Sequence, residues 1–578
     1  MEGVLLSALV ISAGYLLLSA DRRLTGNERV ASSLAASTLV LAASAMPYFG
    51  RPLDHWIPSS MVVLAAGAVL LRGLPSSSLD RRLLVLFAVA FAMRLALIPS
   101  YPFPTGGDSM AHYMFAESLL SSNWFTYQVV DNYWTPYGTP PMPMHYRPPL
   151  FNILVAVWLA FSGPSFASAQ VVSSLYSAAI VFPVYLLAER LFGERTAKWS
   201  ACLAVFSPFL VERSVAVEPR TMVTYLLLLT IYFLLKGRQW WPYYSALAAL
   251  SYLTHPSALW FLLAYAAVYA WMNRGCALNR QLFYAAVVFA VIISPWLLRN
   301  YLLFGSPFYS TNTYLPLLPA VDAYLTLEPP TLDGYVRSLG GWPVGALKAA
   351  GIRILNIVTS YIPPPHKALQ YGLVWVLRNS LIGTATPLVM AFAFASAVAL
   401  SRRGFNPLVA VAAITSVTAP LPLGWPSSSS VGISSLSPLV PLYIILAVHW
   451  ALGSRNRSAL LAAIWAAMLI QGAVLLADKS LQGPDFDMLW WVDANTEGNS
   501  AIMSADSNVI SYYTSRPTYT TPYEPRERIR EAIGRFGIDY LVAGKSDLDL
   551  RDLDAGWLDR TYRLAYVSRD YRIYDTRA

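Results

Sequence analysis

Apolar stretches long enough to cross a bilayer recur along most of this 578-residue sequence. A membrane-spanning helix needs about 20 predominantly apolar residues. Leu83 to Ser100, Gln281 to Leu298 and Ala459 to Leu476 each approach or meet that length. Inside lipid a segment must satisfy its own backbone hydrogen bonds, so such a chain is expected to form a helical bundle. Composition agrees: 56% of the residues are hydrophobic and 13% charged, against about 25% charged in soluble proteins. A soluble globular fold is excluded, and the expected class is a polytopic α-helical membrane protein.

The net charge of +9 is unevenly placed. From Pro484 onward there are 12 Lys and Arg against 16 Asp and Glu, which leaves 29 basic and 16 acidic residues in the first 483. The basic surplus therefore belongs to the membrane part, where loop chemistry accounts for it. No basic run with interleaved aromatics is present, so a nucleic-acid partner is not expected. Cys202 lies in an apolar segment and Cys276 in a basic loop, which gives neither a disulfide framework nor a cysteine metal cluster. Met1-Glu2 leads directly into an apolar stretch without a basic leader, and that stretch is read as a retained span.

Short loops rich in Lys and Arg stay cytoplasmic. Seven fit that description: Arg22/Arg23/Arg29, Arg72/Arg81/Arg82, Arg190/Arg195/Lys198, Lys236/Arg238, Arg274/Arg280, Arg402/Arg403 and Arg455/Arg457. Placing all of them inside predicts about fourteen transmembrane helices with both chain ends outside. Pro149 to Gly163 is apolar, but if it crossed it would reverse every later basic loop. It is therefore expected to lie along the outer interface, a reading that its Pro148-Pro149 start and Gly163-Pro164 end allow. Tyr101 to Arg147 and Arg299 to about Arg378 become long extracytoplasmic loops, the first dense in Trp124, Tyr127, Tyr133, Trp134, Tyr137 and Tyr146. After Asp478 the pattern turns soluble. Strands are expected at Ala501 to Ser504 and Ile538 to Val542, a helix from Pro525 to Phe536 ending at Gly537, and a hairpin about Arg569-Asp570. Together these make a small C-terminal extracytoplasmic α/β domain with a structural or acceptor-docking role.

The chemistry-bearing residues gather where the topology returns to the outer side. Asp108 follows Gly106-Gly107 at the start of a helix that carries His112, Tyr113 and Glu117. It is either an ordinary helix cap or a carboxylate placed to meet a lipid-borne phosphate ester and an incoming hydroxyl. Glu218 precedes Pro219-Arg220 in a helix N-terminal turn, where the dipole alone would favour it. Glu212 is read as a partner for Arg213 or a lipid-interface residue. Arg94 lies within a span about two turns from the outer surface and could snorkel there. With Arg147, Arg213, Arg220 and Arg299 it offers guanidinium groups that suit a phosphate. Pro295 to Pro307, which contains Trp296 and Arg299, reads equally as an interfacial anchor.

Several of these stretches together resemble the GT-C superfamily of polyprenyl-phosphate-sugar-dependent glycosyltransferases, closest to the branch of protein O-mannosyltransferases and lipid A aminoarabinose transferases. They are Asp108, Tyr113 and Ala116-Glu117; His145-Tyr146-Arg147-Pro148-Pro149-Leu150; Leu191-Phe192-Gly193-Glu194-Arg195; Glu218-Pro219; and Pro295 to Pro307. The resemblance runs over residues 83–307. It departs from the family's pattern in having Glu rather than Asp at 218 and extra spans before residue 83. Trp490-Trp491-Val492-Asp493 is similar to the Trp-Trp-Asp motif of oligosaccharyltransferases, but Ala494-Asn495 stands where Tyr-Gly would follow, and the tryptophans are read as an interfacial pair.

The implied layout is extra N-terminal helices over 1–82, a catalytic membrane core over 83–307 with external loop 101–147, a second loop over 308–378, further helices over 379–477 and the soluble domain over 478–578. The implied activity is inverting transfer of a sugar from a dolichyl or undecaprenyl phosphate to a lipid, glycan or protein acceptor on the extracytoplasmic face of the cell membrane. Asp108 would be the general base, Glu218 an acceptor-orienting residue or, with Asp108, a ligand of a divalent metal ion. Arg94, His112, Tyr113, Arg147, Arg220 and Arg299 would bind substrate. Glycan transfer to Asn is the alternative within the fold, and a transporter or lipid flippase the alternative outside it. Cysteines introduced into the Arg190 to Lys198 loop should resist impermeant thiol reagents in intact cells, and ready labelling there would overturn the topology.

Overall fold

The computed structural model describes residues 23–45, 80–104, 107–121, 126–145, 147–273, 280–311, 314, 317, 326–361, 385–418, 438–479, 483–544, 547–548 and 553–577. The first predicted span, Arg22, Arg72, Gly106, Trp124, Tyr146, Arg274, Cys276 and the 362–378 part of the second loop lie outside the described residues.

The N-terminal half contains α1 (Gly26–Ala45), α2 (Arg81–Leu97), α3 (Gly107–Leu120), α4 (Leu150–Ser162), α5 (Phe166–Ala179), α6 (Val181–Phe192), α7 (Glu194–Val205), α8 (Pro208–Ser214), α9 (Arg220–Lys236), α10 (Trp241–Thr254), α11 (Ala258–Met272) and α12 (Arg280–Phe304). Short polar residues set several of the starts. Asp80 accepts from the Arg82 amide at 2.9 Å to open α2, and Ser165 accepts from the Ser168 amide at 3.1 Å to open α5. α5 and α6 run almost continuously. Pro183 cannot donate to the Ala179 carbonyl, and the helix breaks at Ile180.

Four described helices are long and apolar enough to cross a membrane: Arg81–Ser100, Phe166–Phe192, Arg280–Phe304 and Arg457–Leu475. They contain two of the three stretches singled out in the sequence and all but the last residue of the third. α4 has 13 residues and so extends about 20 Å, less than the ~30 Å of a bilayer's hydrocarbon core. It packs against α1, α3, α5 and α10 and ends at Gly163, whose φ of 82° suits a residue without a side chain.

Several of the loops expected inside meet at one end of the bundle. Glu28 of α1 pairs with Lys236 at the end of α9, and the Lys236 ammonium lies 3.7 Å from the centre of the Trp240 ring. The Arg190 guanidinium donates to the Leu235 carbonyl at 2.7 Å. Arg29 is a correction: it is not a loop residue but sits buried in the first turns of α1. Arg220 begins α9 and Lys236 ends it, so Arg220 lies about 25 Å from this basic end.

The C-terminal half adds α13 (Leu332–Ser338), α14 (Val344–Tyr361), α15 (Pro387–Ser401), α16 (Pro407–Thr418), α17 (Leu439–Gly453) and α18 (Arg457–Lys479), then α19 (Phe486–Asn495), α20 (Ser507–Thr514), α21 (Arg526–Phe536) and α22 (Ala555–Thr561). A six-stranded sheet orders as β2-β5-β4-β6-β8-β7, where β2 is Val129–Val130, β4 Ile502–Ser504, β5 Thr518–Thr520, β6 Tyr540–Gly544, β7 Arg563–Val567 and β8 Tyr571–Asp575. β1 (Thr126–Tyr127) and β3 (Met142–Pro143) form a separate antiparallel pair. β2, β5, β4 and β6 run parallel, and the buried Tyr-Leu-Val-Ala-Gly run of β6 suits a strand covered on both faces. α21 stops at Gly537, left-handed at φ 61°.

The sheet is not self-contained. Its edge strand β2 comes from the first long loop: the Thr518 amide donates to the Gln128 carbonyl at 2.7 Å, and the Tyr133 hydroxyl to the Thr520 carbonyl at 2.7 Å. α20 rests on α3, with the Tyr512 and Tyr113 rings 5.5 Å apart. The Trp490-Trp491 pair is a further correction. Trp491 stacks on Tyr566 at 5.6 Å within the sheet's covering layer, and Asp493 pairs with Arg516, while Trp490 alone is exposed. Thr518→Pro removes the amide that joins loop to sheet and should destabilise this junction by about 3 kcal/mol. Limited proteolysis should then cut both 126–145 and the C-terminal segment. Unchanged protection of 126–145 would show that the two are independent.

Candidate active site

Asp108 stands in the first turn of α3, next to Gly107, where a side chain would meet the Asn508 amide nitrogen at 3.3 Å. Its carboxylate pairs with Arg147, which the chain delivers from the segment just before α4, and Arg220 Nη2 lies 3.7 Å from its other oxygen. Arg220 Nη1 also reaches Glu218 Oε2 at 3.0 Å. Glu218 is buried and further held by Arg213 at 3.5 Å and by the Ser109 hydroxyl at 3.4 Å. Residues 110 positions apart thus share one guanidinium. Asp108 differs from Glu218 in access: its side chain is 54% exposed, against 9% for Glu218. One face of the Asp108 carboxylate is open to an incoming group.

The electrostatics follow from this packing. Arg147, with Arg220 adding to it, outweighs burial and holds the Asp108 carboxyl down to about 2. His112 and His255 lie close enough to feel the same charges. Burial, assisted by Arg147, keeps His112 well below the usual imidazole range, and burial assisted by Arg220 lowers His255 to about 4. Both rings are therefore neutral near pH 7. His112 Nδ1 donates to Asn152 Oδ1 at 2.7 Å, which leaves Nε2 as the acceptor. With the histidines neutral, three guanidiniums face two carboxylates, and the cluster keeps one surplus positive charge. An anion of single charge would neutralise it.

Asp108, His112, Arg147, Glu218 and Arg220 come together, and three of the expected substrate-binding residues do other work. Arg94 is fully buried. Its guanidinium donates to Ser177 Oγ at 2.8 Å, the Ala90 carbonyl at 3.0 Å and the Val205 carbonyl at 3.2 Å, so it ties α2 to the turn before α8 and does not snorkel outward. Arg299 donates to the Met144 carbonyl and lies over the Trp296 and Phe304 rings, which steadies the segment that presents Arg147. Tyr113 is buried between Phe166 and Tyr512 as an inter-element packing residue. Arg213 pairs with Glu218, and Glu212 is buried in α8. Sequence reading overlooked His255 and Asn152. The signal for His255 was its place in Thr254-His255-Pro256 at a helix end on the same side; nothing marked Asn152 beyond its position on α4.

Guanidinium groups already face both carboxylates, and among the described residues no group of three His, Cys, Asp or Glu side chains could hold an ion.

Residues 146–298 match the family model for dolichyl-phosphate-mannose-protein mannosyltransferase. No curated protein sequence matches the chain. The fold is that of ArnT from Cupriavidus metallidurans in the apo state, at TM-score 0.54 and 14% identity over 85% of this chain and 97% of that one. It is also that of the Archaeoglobus fulgidus oligosaccharyltransferase in the apo form, at TM-score 0.53 and 16% identity over 80% and 70%. The chain shares the fold of these two proteins, and about a quarter of its length carries the mannosyltransferase family match. The family match begins just before Arg147, includes Arg213, Glu218, Arg220 and His255, and stops one residue short of Arg299. Asp108 lies before it.

Arg94 tests the division between structural and site residues. Arg94→Met leaves buried carbonyls without a donor, which costs about 1–3 kcal/mol for each such group. The thermal midpoint should fall while the folded fraction keeps its KM for the donor substrate. A raised KM at unchanged stability would return Arg94 to the site.

Proposed function

We propose that this GT-C enzyme transfers one sugar from a polyprenyl phosphate to a hydroxyl of a lipid, glycan or protein acceptor, with inversion at the anomeric carbon. The observation that carries this reading is a half-open carboxylate, Asp108, bracketed by two guanidiniums, Arg147 and Arg220. A base and a phosphate clamp lie in one array. The Archaeoglobus fulgidus oligosaccharyltransferase AglB, solved with an inhibitory peptide and a dolichol-phosphate, shares the fold at TM-score 0.52 and 15% identity over 86% of this chain and 74% of that one.

In the reaction the acceptor oxygen attacks the anomeric carbon as the bond from that carbon to the phosphate oxygen breaks. The electron pair leaves with the polyprenyl phosphate, whose charge rises from −1 towards −2, and the acceptor proton passes to Asp108. Arg147 and Arg220 stabilise the growing charge on the leaving group. They also govern the base. While both hold Asp108 its carboxylate has little affinity for a proton; a donor phosphate competes for the same guanidiniums, and as they turn to it the proton affinity of Asp108 rises. Glu218 keeps Arg220 and Arg213 in place and orients the acceptor.

The cluster lies at the end of α9 remote from Glu28, Lys236 and Arg190, and basic ends stay cytoplasmic, which supports an extracytoplasmic site. Transfer of a whole glycan to Asn finds less support, because Trp491 and Asp493 of the Trp-Trp-Val-Asp stretch are engaged with Tyr566 and Arg516.

Asp108→Asn keeps shape and hydrogen bonding but cannot take the proton, so turnover should fall about 10² to 10⁴-fold with donor binding retained. Glu218→Gln should cost less. Near-normal turnover in folded Asp108→Asn would reduce Asp108 to a helix cap. The pH profile separates the two states of the base. In the free enzyme Asp108 is ionised down to about 2, so kcat/KM should stay level through the mildly acidic range. With donor bound its pKa is raised, and kcat should be lost at a higher pH as Asp108 protonates. Coincident acid limbs would rule out the competition for Arg147 and Arg220.

A further inference from the structure

At the basic end of the bundle, away from Asp108, a cleft of about 370 Å³ opens between α7 and α18. Helical spacing builds both walls. Arg457, Leu461 and Trp465 recur every four residues along one face of α18, and Arg195 and Trp199 stand one turn apart on α7. Arg195 is exposed, and its neighbour Glu194 pairs with Lys198. Among the described residues neither Arg195 nor Arg457 has a carboxylate partner. Farther in, the Trp465 ring packs on Phe206 at 4.5 Å, and its indole N–H is buried without a hydrogen-bond partner. Trp465 lies about 12 Å along α18 from Arg457. The cleft thus has a cationic rim and an apolar wall, while Trp199, 37% exposed, stands at its edge.

We infer that this cleft binds an anionic phospholipid, with the headgroup phosphate between Arg195 and Arg457 and an acyl chain along Leu461. Guanidiniums give a phosphate paired, charge-assisted hydrogen bonds. A free phosphate would engage the rim and leave the apolar wall of Leu461, Ala462 and Trp465 unused. Tryptophan at the edge and arginine at helix ends are the residue types that sit at a membrane interface. The two arginines belong to loops expected to face the cytoplasm, where anionic lipid is the available partner. None of the Asp108 cluster lines the cleft, so the inference stands apart from the transfer reaction.

Native mass spectrometry of the full-length, delipidated protein in detergent tests this, with phosphatidylglycerol, phosphatidylcholine and inorganic phosphate as probes. Phosphatidylglycerol should remain bound where phosphatidylcholine does not, and excess inorganic phosphate should not displace it. The Arg195→Gln/Arg457→Gln variant should lose phosphatidylglycerol affinity on the order of tenfold or more. Trp465→Phe should weaken it by less, with an unchanged thermal midpoint in lipid-free detergent showing that each variant folds. Equal retention of both lipids, or full affinity in the double variant, would overturn the site. Displacement by inorganic phosphate would show a simple anion site instead.

Discussion

Arg220 is the interaction on which the arrangement at this end of the molecule depends. It contacts Glu218 at 3.0 Å and lies 3.7 Å from Asp108, so one side chain joins α3 to the N-terminus of α9. Two carboxylates brought this close would otherwise repel, and one of them would take up a proton near neutrality. With Arg147 and Arg213 flanking the pair, three guanidiniums face two carboxylates among the described residues, and the surplus positive charge shifts the problem from holding carboxylates together to attracting an anion. A phosphodiester carries the single negative charge that balances it, and departure of the phosphate adds a second charge among the same groups.

Other parts of the bundle hold that cluster without touching it. Arg94 fastens the Val205 carbonyl, and Ser177, which accepts from Arg94, donates to the Leu210 carbonyl at 2.7 Å. These bonds fix the elbow from which α8 presents Arg213. Arg299 does the same for the other wall through Met144, three residues before Arg147. A buried arginine bonded to backbone carbonyls is costly to desolvate, but once paired it fixes the local geometry, because removing it leaves several acceptors unsatisfied. The site is therefore built from loop and helix-end residues whose positions are set one layer deeper, in the spans.

The residues differ in how far the sequence disclosed them. Hydropathy marked the long helices directly, because a bilayer's thickness imposes a length that composition can reveal. Asp108 and Glu218 were visible because a carboxylate at a helix start beside a span is scarce in a chain this apolar. Arg94 and Arg299 carried the same formal signal as Arg147 and Arg220, yet their partners are neutral groups, backbone carbonyls among them, and these have no sequence signature. His255 and Asn152 were hidden for the same reason, since their relevance comes from what folds next to them. β2 was hidden by length: two valines in an aromatic loop show no period, and they become a strand only because Thr518 and Tyr519 offer an open edge.

That edge makes the C-terminal sheet part of the site's support. β2 joins it to the loop that leads on to Arg147, and α20 joins it to the helix of Asp108, so both members of the Asp108–Arg147 pair rest against elements that the sheet fixes. Asp108 and its guanidinium partner Arg147 lie 39 positions apart, and the pairing costs the entropy of closing that loop. Clamping the middle of the stretch into a sheet edge shortens the free segments on either side and lowers that cost. The C-terminal segment is thereby tied through its backbone and side chains to the elements that carry Asp108 and Arg147.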